Sequence, residues 1–166
     1  MKEHQVFLKI TFILTAVLFL LAFSVFIAVR MREPKPVEAD FSAIRDALAE
    51  GGFTESMKEG TDLRAKASFG LLPGDYEEML YLVPSYYLDV DEIMLVRLPE
   101  GADAAEVNEA MEQYLERTMK SFENYGTDQY SILQDTVIYR NEHYVLYCAG
   151  RSAGEAARLI RSMIER

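Results

Sequence analysis

One run constrains this chain more than any other: Ile10 to Val29, ITFILTAVLFLLAFSVFIAV, twenty residues without a charge, bounded by Lys9 and Arg30. At about 1.5 Å rise per residue, a helix of that length spans roughly 30 Å, the hydrocarbon thickness of a bilayer. In lipid the backbone N–H and C=O groups must be satisfied within the segment, which selects a helix. The run is longer than a secretory h-region, and Val25-Phe26-Ile27-Ala28-Val29-Arg30 holds no small-x-small cleavage pattern. An uncleaved single-pass anchor is therefore expected. Its flank has no lipid-attachment cysteine, because the one cysteine is Cys148. The expected division is a short cytoplasmic tail at 1–9, a transmembrane anchor at 10–29, a linker at 30–39 stiffened by Pro34 and Pro36, and a folded domain at 40–166.

Two signals on orientation oppose each other. Arg30, Arg32 and Lys35 outnumber Lys2 and Lys9, which favours a cytoplasmic C-terminal flank. Long domains translocate largely regardless of charge, which favours the reverse. The expectation is a cell-membrane protein with its C-terminal domain extracytoplasmic.

Net charge is −10, and its distribution matters more than its sum. Residues 75–135 carry fifteen acids and three bases, whereas 136–166 carry three acids and five bases. Such an acidic middle repels phosphate polymers, so nucleic acid is not an expected partner. It tolerates cations or a basic partner, and it also serves simply to keep a domain soluble.

The domain reads as α+β. Asp40 caps a helix over Phe41–Glu50 that ends at Gly51-Gly52, and a second short helix runs from Asp62 to Phe69. Residues 53–60 are polar and read as irregular. Met79–Val83 and Ile93–Leu98 read as strands. Asp103 starts the best-defined helix, in which Val107, Met111, Tyr114, Leu115, Thr118 and Phe122 share one stripe. A short helix at 127–133 and a hairpin of 135–140 with 143–149 follow. Ser152 and Glu155 form a capping-box pattern before the last helix. The order β-β-α-α-β-β-α predicts a four-stranded, mainly antiparallel sheet covered by helices on one face.

Candidate chemistry is sparse. Asp89, Asp91 and Glu92 put three carboxylates in four residues, an oxygen-rich set suited to a hard cation. In an extended strand Asp89 and Asp91 share a face and Glu92 points away. The plain alternative is a solvated turn. His143 and Cys148 lie on one strand at odd separation and face opposite sides, which prevents a Cys–His pair. The sequence holds no G-x-S-x-G, H-E-x-x-H, P-loop or dinucleotide fingerprint, so no catalytic residues and no cofactor are expected. Tyr76, Tyr81, Tyr86 and Tyr87 cluster in sequence and could form an interaction surface, although tyrosines in strands are commonly core residues.

Phe69-Gly70-Leu71, Asp75-Tyr76, Asp89-Val90-Asp91-Glu92-Ile93, Ser121-Phe122-Glu123-Asn124-Tyr125 and Tyr144-Val145-Leu146 occur in that order. This pattern, over roughly Thr61 to the C-terminus, resembles an uncharacterised family of small lipoproteins and membrane-anchored proteins of Gram-positive bacteria. The resemblance implies an extracytoplasmic domain and supplies no activity, ligand or catalytic residue. The functional expectation is an accessory or protein-interaction module of the cell envelope, with another envelope protein as partner. The alternative is a metal-dependent envelope enzyme using Asp89, Asp91 and Glu92.

Overall fold

The computed structural model describes Thr15, residues 17–24 and residues 38–165. Thr15 and residues 17–24 (α1) are helical. The remainder of the expected anchor, the tail 1–9 and the linker from 30 to 37 lie outside the described residues. Among the described residues no helix is long and apolar enough to cross a membrane. The chain divides into two units, Met1–Val37 and Glu38–Arg166. In the first, Phe19 and Phe23 stand one helical turn apart and their rings stack at 6.4 Å between centroids.

The second unit runs α2 (Phe41–Glu50), β1 (Met57–Glu59), α3 (Asp62–Phe69), β2 (Glu78–Pro84), β3 (Glu92–Arg97), α4 (Ala104–Phe122), α5 (Thr127–Gln134), β4 (Val137–Arg140), β5 (Tyr144–Ala149) and α6 (Ala153–Ile164). Its sheet has five antiparallel strands in the order β1-β2-β3-β5-β4. The expected four strands are all present. The fifth, β1, occupies what reads in sequence as irregular chain. Three residues, Met57-Lys58-Glu59, carry no usable alternation; they become a strand because Lys58 and Glu59 lie opposite Val83 and Leu82 at the sheet edge.

Local chemistry explains the helix starts. The Asp40 carboxylate accepts from the N–H groups of Ser42 at 2.8 Å and Ala43 at 3.3 Å, and Asp103 accepts from Ala105 N–H at 2.8 Å. Such a cap is worth about 1 kcal/mol. The capping box expected at Ser152 is not made: its side chain bonds no backbone N–H of the helix, and its carbonyl accepts instead from Glu155 and Ala156.

Helices cover both faces of the sheet, not one. On one face α2 and α6 bring Ile44, Leu48, Ala156 and Ile160 against Leu80, Leu82, Ile93, Leu95, Leu146 and Cys148. On the other, α3, α4 and α5 bring Phe69, Val107, Met111 and Leu133 against Tyr81, Val83, Met94, Val96, Val145 and Tyr147. Residues 92–96 of β3 and all of β5 are therefore buried in succession, which is why both strands are near-continuous apolar runs. Each fully buried Leu or Ile contributes about 1.5–3 kcal/mol. Cys148 lies in the first face, where burial pushes its thiol up to about 12.

The two ends of the sheet differ. Where Arg97 pairs with Tyr144, ionic contacts fasten the start of the domain: Arg97 meets Glu38, Glu77 and Glu78 at 3.1–3.5 Å, and its guanidinium lies over the Phe41 ring. The opposite end, where Glu92 pairs with Ala149, opens into a cavity.

Candidate functional site

Glu92 is the first residue of β3 and is only 4% exposed, the one charged side chain in the buried interior of the described residues. It shares its side of the strand with Met94 and Val96, so the pleat aims it between the sheet and α4. Tyr81 on β2 donates its hydroxyl to Oε1 at 2.6 Å, and Tyr114 on α4 donates to Oε2 at 2.8 Å. The rings of these two tyrosines pack with those of Phe69 and Tyr147. Phe69 sits 4.4 Å from Tyr114, 5.4 Å from Tyr147 and 5.9 Å from Tyr81 between centroids, and Tyr114 sits 5.6 Å from Tyr147.

Gly60 leaves space for this arrangement. Its N–H donates to the Tyr81 carbonyl at 2.8 Å, and a Cβ at position 60 would run into the Tyr81 ring. Arg117 of α4 donates to the Ser68 carbonyl at 2.8 Å, which ties α4 to α3 above the tyrosines.

Burial raises the pKa of the Glu92 carboxyl, and the two tyrosine hydrogen bonds together with the charge of Arg64 pull it only part of the way back. Burial and the neighbouring Glu92 drive Tyr81, Tyr114 and Tyr147 upward, so all three remain neutral hydroxyls around neutral pH. Glu92 is thus held by uncharged tyrosine hydroxyls, with no lysine or arginine in salt-bridge contact among the described residues.

Glu92, Tyr114 and Tyr147 line a cavity of about 320 Å³. Its walls add Val90, Thr118, Phe122 and Leu133, and its cationic side is Lys58 of β1 and Arg64 of α3. The β2–β3 connection forms the lip. There Tyr86 is 72% exposed, Tyr87 90% and Leu88 46%.

The carboxylates grouped in sequence are separated in space. Asp89 and Glu92 line this cavity, while Asp91 belongs to the other side of the connection. Residues 89–91 are not strand, so the alternation expected from sequence does not apply to them. Asp91 fastens the loops: it accepts from Ser56 Oγ at 3.1 Å and from Arg151 N–H at 3.3 Å. A Cβ at Gly150, whose φ is +131°, would collide with its carboxylate. Among the described residues no group of three or more His, Cys, Asp or Glu side chains is placed to hold a metal ion.

The tyrosine group also separates. Tyr86 and Tyr87 are exposed on the lip, but Tyr81 is 2% exposed and belongs to the Glu92 cradle. Tyr76 packs at the margin of the core and donates to Asp62 at 3.1 Å. Sequence reasoning misses Lys58, Arg64 and Tyr147, and it reads Tyr114 only as a stripe residue. The available signals were a glutamate opening an otherwise apolar strand and a tyrosine hydroxyl on the buried stripe of α4.

Comparison with known proteins returns one family. No curated protein and no solved structure matches the chain significantly. A family described as "Domain of unknown function (DUF4358)" matches residues 49–150, more than half of the chain. The match begins before Thr61, where the sequence resemblance starts, and ends ahead of α6. It contains all five strands and every residue of the Glu92 cavity named above. This chain belongs to the DUF4358 family, a domain of unknown function.

Proposed function

We propose that this protein is a membrane-tethered accessory module of the cell envelope. Ile10–Val29 holds it in the bilayer, and the α+β domain stands outside the cytoplasm and presents the Glu92 cavity with its Tyr86-Tyr87-Leu88 lip to another envelope protein. Twenty uncharged residues between Lys9 and Arg30 support the tether. The observation that carries the binding role is the cavity itself. A buried carboxyl group, Tyr114, Tyr147 and the exposed rings of Tyr86 and Tyr87 converge on one concave surface, the usual form of a recognition site.

The test has two parts. Protease added to intact protoplasts digests the domain if it lies outside. A photoreactive residue at Tyr87, on the lip, yields a reproducible crosslinked species, whereas the same residue at Glu142, in the hairpin turn at the opposite end of the sheet, does not. A protected domain refutes the topology. Equal labelling at both positions, or none at either, refutes the cavity as the working face.

A further inference from the structure

The cavity has two chemically different ends. At its floor, each Glu92 oxygen has two acceptor positions, and the tyrosines take one at each. No cation among the described residues is in salt-bridge contact with it. A charged carboxylate removed from water is costly until a counter-charge arrives. Tyr114 and Tyr147 line the same cavity with Glu92, and aromatic rings attract an ammonium. At the mouth, Lys58 and Arg64 are both exposed, and neither forms a salt bridge among the described residues. Two exposed cations lining the cavity, one of them also acting at a distance on Glu92, favour an anionic group there in a chain of net charge −10.

We infer that the cavity binds a small zwitterion, with its primary ammonium on Glu92 and its carboxylate or phosphate at Arg64 and Lys58. A volume of about 320 Å³ suits a ligand of amino-acid or dipeptide size and is too small to enclose a polymer. Asp89 on the wall adds to the negative potential that an ammonium meets on entry. This inference rests on the reading of the cavity as the working face of the module.

Calorimetric titration of the full chain in detergent micelles tests it with four probes: glycylglycine, phosphoethanolamine, ethanolamine and N-acetylglycine. The two zwitterions are expected to bind saturably, ethanolamine more weakly, and N-acetylglycine not at all. The stronger of the two zwitterions identifies a carboxylate or a phosphate as the outer group. Glu92→Gln is expected to weaken both by about thirtyfold or more, because it removes one partner of a desolvated charge pair. Arg64→Gln, at an exposed position, is expected to weaken them by about threefold and to leave ethanolamine unchanged; it decides the question even if Glu92→Gln fails to fold. Absence of zwitterion binding, N-acetylglycine binding as well as glycylglycine, or an Arg64→Gln protein with unaltered affinities would overturn the inference. A lip crosslink without zwitterion binding refutes the ligand class alone, whereas loss of both removes the cavity as the working face.

Discussion

Strands β2, β3 and β5 send alternate side chains to two faces of one sheet, and the two faces are built from different chemistry. Against α2 and α6 lie Leu80, Leu82, Ile93, Leu95, Leu146 and Cys148, closed by Ile44, Leu48 and Ile160. Against α3 and α4 the same strands contribute Tyr81, Glu92 and Tyr147, closed by Phe69 and Tyr114. The first face is filled almost wholly by apolar side chains; the Tyr144 hydroxyl buried there accepts from Ala39 N–H at 2.9 Å. The second pays desolvation for a carboxylate and three hydroxyls that an apolar core would not contain. The proposed binding role draws on this second face, where a buried carboxyl group and tyrosine hydroxyls gather beside a cavity.

Substitutions can break or sharpen this contrast. The largest effect is expected on the apolar face: Ile160→Ala should cost about 2–5 kcal/mol in chemical denaturation, because it leaves a void among fully buried neighbours. On the polar face, Tyr114→Phe removes a hydroxyl and no apolar volume. It should cost about 1.5–3 kcal/mol where Glu92 is ionised and less once Glu92 is protonated, as measured by denaturation on either side of the Glu92 titration. The smallest effect is expected at the lip. Tyr87→Ala should change stability by no more than about 0.5 kcal/mol. The same substitution should reduce partner crosslinking from a photoreactive residue at position 86, which separates recognition from folding.

Much of the architecture was legible because local chemistry announces it. Asp40 and the spacing of Phe41, Ile44 and Leu48 define α2 to the residue, and the stripe from Val107 to Phe122 defines α4. The strand β1 was not legible: its three residues pair only because β2 offers an edge. Cover on both faces was present in the unbroken apolar runs of β2 and β3, but such a run shows burial without showing what buries it. For the site, sequence proximity misled. Asp89, Asp91 and Glu92 are neighbours in the chain, yet Asp91 holds loops on one side while Glu92 faces the other core. The partners that give Glu92 its character, Tyr81 and Tyr114, lie 11 and 22 residues away on different elements. Tyr81 reads as one of four clustered tyrosines, and only the pleat of β2 sends it inward while Tyr86 and Tyr87 stay in solvent.

The distinction between the faces rests on Glu92 being costly to ionise where it lies. Its carboxyl lies above its ordinary value of 4.5 in the folded state, so the unfolded chain releases the proton first as pH rises. The stabilising contribution of the protonated form is then complete below 4.5 and is lost as pH climbs through the raised folded value. The most direct measurement is the unfolding free energy of the wild-type chain and of Glu92→Gln across that window. The two should run parallel at the acid end, where a protonated glutamate resembles glutamine, and the wild type should then lose stability relative to the variant as pH rises. A difference that stays constant with pH, or a wild type that gains on the variant, would contradict the picture of a carboxyl group whose ionisation its buried cradle opposes.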